Sequence, residues 1–258
     1  MSESREEAVV LRLRAAGCVF AEDEARLLLQ EVRTAAELDA LVERRVAGEP
    51  LEHVLGWAEF SGLRIAVAAG VFVPRRRTEF LVEEAIALAG PRAVVVDLCC
   101  GSGALGVAVA TAVDGAELHA ADVDPAAVSC ARGNVARVGG QACEGDLYEA
   151  LPPALRGRVD VLLANVPYVP SDAIALMPPE ARLHEARVAL DGGADGLDVA
   201  RRVIEAAPAW LAPGGSLLFE TSEDQASDAV ETVTAAGLRG RVVADDERGA
   251  TVVVGTRS

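Results

Sequence analysis

Apolar positions recur at helical spacing through the first fifty or so residues. Val9, Val10, Leu13 and Ala16 form one stripe, Ala25, Leu28, Leu29 and Val32 a second, and Leu38, Leu41, Val42 and Val46 a third, with Glu and Arg on the other faces. The spacing predicts about three helices packed together, because a single amphipathic helix does not hold in isolation. Gly48-Glu49-Pro50 closes the region. The pattern then shortens. Residues 57–60 and 63–67 read as strands about the turn Ser61-Gly62, Pro74 ends that stretch, and 78–89 reads as a helix with Thr78 as its N-cap. From residue 92 strands and helices alternate. Strands are expected over 93–98, 116–121, 141–144, 159–164 and 216–220 and near Val242 and Val252, with helices over 104–113, 124–138, 197–210 and 224–236. That rhythm predicts an α/β fold, a mostly parallel sheet with helices on both faces. Ligands of such sheets lie beyond the carboxyl ends of the strands.

Charge and composition narrow the chemistry. The 258 residues include 24 basic and 40 acidic ones, a net charge of −16. Phosphate backbones need clustered positive charge, so direct nucleic-acid binding is not expected. An apolar share of 51% against 25% charged is enough to build a core and excludes disorder as the main state. All 24 basic residues are arginine. With no lysine, a phosphate-binding P-loop, a pyridoxal Schiff base, a lysine nucleophile and the usual kinase pattern are all excluded. Cys18, Cys99, Cys100, Cys130 and Cys143 form no C-x-x-C pair, and His53, His119 and His184 are scattered, so no metal site is expected. No signal peptide and no membrane-length apolar stretch is legible, so the expected location is cytoplasmic, with reduced thiols.

Two segments carry candidate chemistry. Gly101-Ser102-Gly103-Ala104-Leu105-Gly106 follows a strand and opens a helix, matching G-x-G-x-x-G. Asp122, at the end of the next strand, is positioned to hold a ribose through its hydroxyls. NAD and S-adenosylmethionine both fit so far. Asp97, just before the loop, favours the second, since a carboxylate repels a pyrophosphate but suits an ammonium and a sulfonium. Asp146, after the third strand, is placed to meet an adenine amino group or a water. The second segment is Asn165-Val166-Pro167-Tyr168, at the carboxyl end of the strand over 159–164. Asn165 offers a carboxamide oxygen and Val166 a backbone carbonyl, Pro167 stiffens the turn, and Tyr168 presents a flat face. Two acceptors and a planar face suit a planar –NH₂, an amide or the exocyclic amine of a base. Holding both N–H groups orients such a weakly nucleophilic nitrogen and favours positive charge on it during methyl transfer.

These residues, in this order, resemble the HemK/PrmC family of protein-(glutamine-N5) methyltransferases. The resemblance runs through Glu49-Pro50, the stretch 56–63, Val73-Pro74-Arg75 with Thr78-Glu79, the loop from Asp97 to Gly103, Gly145-Asp146-Leu147-Tyr148, Asn165 to Tyr168, Ala189 to Gly193 with Gly196-Leu197, and Gly214-Gly215 with Glu220 and Gln225. It implies a Rossmann-like, seven-stranded class I S-adenosylmethionine-dependent methyltransferase domain over 78–258. A β-hairpin linker (51–77) and a small helical partner-binding domain (1–50) would precede it. It further implies that Asn165, Val166, Pro167 and Tyr168 handle a glutamine amide. The cofactor would contact Asp97, Cys99, Gly101, Gly103, Asp122, Asp146, Leu147 and Asn165, leaving S-adenosylhomocysteine as product. The implied partner is a class I peptide chain release factor carrying a Gly-Gly-Gln glutamine. Cys99 stands where the family has glycine, Cys100 replaces a small residue, Val166 replaces the first proline, and Arg76 and Arg77 replace the proline and acid of the linker motif.

Three other functions fit parts of the pattern. They are an adenine-N6 nucleic-acid methyltransferase, an NAD-dependent oxidoreductase and a non-catalytic binding module of methyltransferase fold. Arg75-Arg76-Arg77 is read either as a contact for RNA or an acidic partner or as a solvated loop with one local ion pair. Glu220 is expected near the site, in cofactor-side polarity or in a hydrogen-bond network.

Overall fold

The first helical stretch divides where the sequence interrupts its own periodicity. In the computed structural model, which describes residues 2–258, α1 (Ser2–Ala15) stops before Gly17, a left-handed residue with φ +92°, and α2 (Ala21–Glu31) follows. α3 (Ala35–Val46) opens on a capping box. Thr34 Oγ1 accepts from the Glu37 N–H at 3.2 Å, and the Glu37 carboxylate accepts from the Thr34 N–H at 2.9 Å. Pro50 does not end the helical region. It leads into a short α4 (Leu51–Leu55), since a proline is tolerated at a helix entry. Val9, Leu13, Leu28, Leu38, Val42 and Val54 close a core of their own. Ion pairs join that bundle together: Arg45 binds Glu24 at 2.7 Å, both almost wholly buried.

The hairpin β1 (Trp57–Phe60) and β2 (Leu63–Ala66) turns at Ser61 and Gly62. Both have positive φ, matching the right-handed twist of the strands. α5 (Glu79–Leu88) begins after a turn of 3₁₀ helix. Thr78 precedes it but does not cap it with its side chain, because its hydroxyl is committed to Glu220.

The remaining elements are β3 (Val94–Leu98), α6 (Ala104–Ala112), β4 (Glu117–Asp122), α7 (Pro125–Ala136), β5 (Gln141–Glu144), β6 (Val159–Ala164), α8 (Pro179–His184), α9 (Asp198–Trp210), β7 (Leu211–Thr221), α10 (Ala226–Ala235), β8 (Arg239–Asp245) and β9 (Ala250–Thr256). They build a seven-stranded sheet in the order β5-β4-β3-β6-β7-β9-β8. The strands are parallel except β9, which runs antiparallel to both neighbours. Alternation along β3 divides the core. Val94, Val96 and Leu98 join the cluster around Trp210 and Phe219, while Val95 joins the cluster around Leu163 and Leu218 on the other face. The chain winds outward from β3 in one direction to β4 and β5, and in the other to β6 and β7. β3 and β6 are therefore the point where the strand order reverses, and a crevice opens beyond their carboxyl ends.

Candidate functional site

That crevice is a cavity of about 370 Å³. Register explains why the two motifs meet there: Leu98 of β3 lies beside Ala164 of β6 and Ala121 of β4. The next residues along each strand, Cys99, Asn165 and Asp122, are thus delivered to one rim. The cavity wall includes Cys99, Gly101, Asp122, Asp146, Leu147, Asn165, Val166, Pro167 and Tyr168.

The glycine-rich loop is built from left-handed residues, with Cys99 at φ +54°, Gly101 at +55° and Gly103 at +77°. Cys99 adopts without glycine the backbone that the resemblance assigns to glycine, and its thiol faces a buried setting that raises its pKa. The loop is pinned from behind. The Gly101 N–H donates to Asp122 Oδ2 at 2.8 Å and the Asp124 N–H to Asp122 Oδ1 at 2.9 Å. Burial raises the Asp122 carboxyl pKa against those bonds. Two expected cofactor contacts lie outside the cavity wall. Gly103 packs on α7, where a Cβ would come within 2.9 Å of Val135 Cγ2, so its smallness serves helix packing. Asp97 sits beneath the loop, 1% exposed. Its Oδ2 accepts from the Gly106 N–H at 2.9 Å, and its Oδ1 has no hydrogen-bond partner. Burial pushes this carboxyl up to about 7.

Across the cavity, Asp146 Oδ2 accepts from Arg202 Nη2 of α9 at 2.6 Å, and Arg202 also lines the wall. No spacing in the sequence pairs these two residues. Leu147, at φ +49°, turns its backbone at the same rim.

At the end of β6, Asn165 Oδ1 is buried and has no hydrogen-bond partner. Val166 is 2% exposed, belongs to the core cluster and also lines the cavity. The Tyr168 carbonyl accepts from Gln225 Nε2 at 3.0 Å. Its hydroxyl donates to Glu220 Oε1 at 3.0 Å and accepts from Arg77 Nη2. Burial, with the nearby Glu220 charge, pushes the Tyr168 phenol up to about 12. Glu220 is itself held by Arg77 Nε at 2.7 Å and by the Thr78 hydroxyl at 2.5 Å. Of the arginine run, Arg75 forks onto Glu185 at 2.6 Å and Arg77 binds Glu220, so two of the three are in local ion pairs. Arg77, Thr78 and Arg202 are the site residues that sequence reading missed.

The wall carries both signs of charge: Arg75, Arg77 and Arg202 line it and are each held by a carboxylate, of Glu185, Glu220 and Asp146, which leaves Asp122 as an acid on the wall without an arginine partner. Asp122 and Asp146 stand on it, and the orphaned oxygen of Asp97 lies beneath its floor. The orphaned oxygen of Asn165, on the same wall at the end of β6, is an acceptor for a second group. Among the described residues, no cluster of three or more His, Cys, Asp or Glu could hold a metal, and no helix is long and apolar enough to cross a membrane.

Comparison with known proteins adds an independent line. The model of the methyltransferase small domain matches residues 62–194. A release factor glutamine methyltransferase of Geobacter sulfurreducens is 39% identical over 219 residues, 84% of this chain and 76% of that one. One of Bradyrhizobium diazoefficiens is 35% identical over 259 residues, 92% of this chain and 87% of that one. Among solved structures, a T. thermophilus 16S rRNA methyltransferase in complex with AdoMet and guanosine shares the fold, with a TM-score of 0.56 at 21% identity over 78% of this chain and 50% of that one. Identity at the level of the first two, over most of both chains, settles the kinship: this chain belongs to the release factor glutamine methyltransferase family.

Proposed function

We propose that this chain transfers a methyl group from S-adenosylmethionine to the side-chain amide nitrogen of a glutamine in a protein, the Gly-Gly-Gln glutamine of a class I peptide chain release factor. The observation that carries the reading is Asn165 Oδ1, a buried acceptor without a partner at the cavity rim. A buried carboxamide oxygen left unpaired is costly unless a ligand satisfies it. Asn165 Oδ1 and the Val166 carbonyl take one amide hydrogen each, and the Tyr168 ring packs on the amide plane. Both acceptors gain strength as the nitrogen becomes positive, so the chain needs no strong base there. As the N–C bond forms the S–C bond would break, leaving a neutral thioether, and the cationic nitrogen would then lose one proton to solvent water.

Bound in the cavity, S-adenosylmethionine would have its ribose hydroxyls held by Asp122, its adenine bordered by Asp146 and Leu147, and its methionine end lined by Cys99 and Gly101, with Asp97 supporting the loop from below. S-adenosylmethionine, when bound, supplies an electrophilic methyl group on a sulfonium. Residues 78–258 form the methyltransferase domain, 56–77 the hairpin linker and 1–55, with α4 packed into the helical core, the domain that engages the protein partner.

Asn165→Ala tests the clamp. Its kcat on a release factor should fall about 10²- to 10³-fold, the usual loss for one donor or acceptor aimed at developing charge. S-adenosylhomocysteine should still bind nearly as tightly. Undiminished kcat would contradict the clamp.

A further inference from the structure

We infer that Arg77 is a positioning residue for the methyl transfer: with Glu220, it fixes the ring of Tyr168 against the amide. The inference rests on the amide-clamp reading. Tyr168 follows β6 in an irregular stretch that reaches α9 at Asp198 with only short helical turns. Its backbone is tied through Gln225 and Val169, but neither bond limits rotation of the ring. The hydroxyl does. It donates to Glu220 Oε1 at 3.0 Å and accepts from Arg77 Nη2, while Arg77 Nε donates to the same Oε1 at 2.7 Å. One planar guanidinium thereby spans the tyrosine and its acceptor, a two-point geometry that an ammonium does not reproduce. The three partners come from three elements, the turn before α5, the end of β7 and the loop after β6.

The charge arrangement suits the chemistry. Transfer leaves positive charge on the amide nitrogen, which a lone guanidinium nearby would oppose. Glu220, whose side chain is 3% exposed, cancels that charge, and Thr78 satisfies its second oxygen. The ring is thus held by a pair of zero net charge. The restraint falls where the backbone is less stiff, because Val166 stands ahead of Pro167 where the resembling family has a second proline.

A double-mutant cycle tests this. Wild type, Arg77→Gln, Tyr168→Phe and the double variant are compared for kcat and KM on a release factor, and for affinity for S-adenosylhomocysteine. Each single change should lower kcat about tenfold, since small misplacements of a positioned group cost that much or more. The double variant should lose no more than either single, with cofactor affinity unchanged. Losses that multiply would overturn the inference, because Arg77 would then act apart from the ring. Arg77→Gln leaves Glu220 buried without its cation, so the cycle is repeated with Arg77→Gln/Glu220→Gln in place of the single change. The same non-additivity is expected. Arg77→Lys keeps the charge and loses the two-point span; full kcat in that variant would also overturn the inference. Asn165→Ala, run alongside, reads the clamp separately. Undiminished turnover there contradicts the clamp, while the cycle still decides the role of Arg77.

Discussion

Asp97 is the buried acid whose titration the fold perturbs in the most testable way. It is 1% exposed, with one oxygen on the Gly106 N–H and the other unpartnered. Burial lifts its carboxyl to about 7, against about 3.9 in an unfolded chain. A carboxyl with a raised folded pKa keeps its proton longer in the native state. The stability this gives is fully present below about pH 4 and is lost as pH rises through about 7. Asp97→Asn preserves the size and the acceptor toward Gly106 but cannot ionise. Its new N–H₂ lacks an acceptor and costs about 1–3 kcal/mol, a penalty independent of pH. At about 1.36 kcal/mol per pH unit, the stability of the variant relative to wild type should rise by about 3 kcal/mol between pH 5 and pH 8. Urea unfolding of both cofactor-free proteins at the two pH values measures it, and contributions from other titrating groups cancel in the difference. A difference that does not change with pH would refute the reasoning, showing that Asp97 is ionised throughout.

Two further substitutions probe the loop itself. Cys99→Gly removes a side chain from a left-handed residue. Relief of about 1–2 kcal/mol outweighs the extra chain entropy of glycine, so the unfolding free energy should rise by about 1 kcal/mol or less, read as a higher urea midpoint at constant slope. A fall would mean that Cys99 packing matters more than its backbone. Gly106→Ala would put a Cβ 2.7 Å from Leu118 Cδ1 and 3.0 Å from the Asp97 carboxyl. Stability should drop by about 1–3 kcal/mol, read as a lower Tm, and an unchanged Tm would show that α6 can move off β3 and β4 without cost.

Local signals made much of the fold readable from sequence. The hairpin turn at Ser61-Gly62, the glycine loop between β3 and α6, and the apolar run of β6 ending at Asn165 each depend on neighbours within a few residues. Parallel register then brings their ends together. What was not readable depends on contacts distant in sequence. Arg77 meets Tyr168 across 91 residues and Glu220 meets Tyr168 across 52, with no periodicity to announce either. Thr78 has the residue type of an N-cap but is captured by Glu220, an acid whose burial demands donors. Gly103 fits the fingerprint of a ligand loop, yet the atoms that a Cβ there would meet belong to α7. α8 lies in an irregular stretch and is tied to the helical bundle by an ion pair, Arg45 to Glu180 at 2.6 Å, with Ala181 its one buried residue.

The most direct measurement is the mass of the Gly-Gly-Gln peptide after the purified chain acts on an unmethylated class I release factor with labelled S-adenosylmethionine. A buried amide acceptor at Asn165 on the wall it shares with Asp122 predicts the gain of one methyl group on that glutamine, absent when the glutamine is replaced. No gain, with S-adenosylhomocysteine still bound by the chain, would contradict the release-factor glutamine as the acceptor.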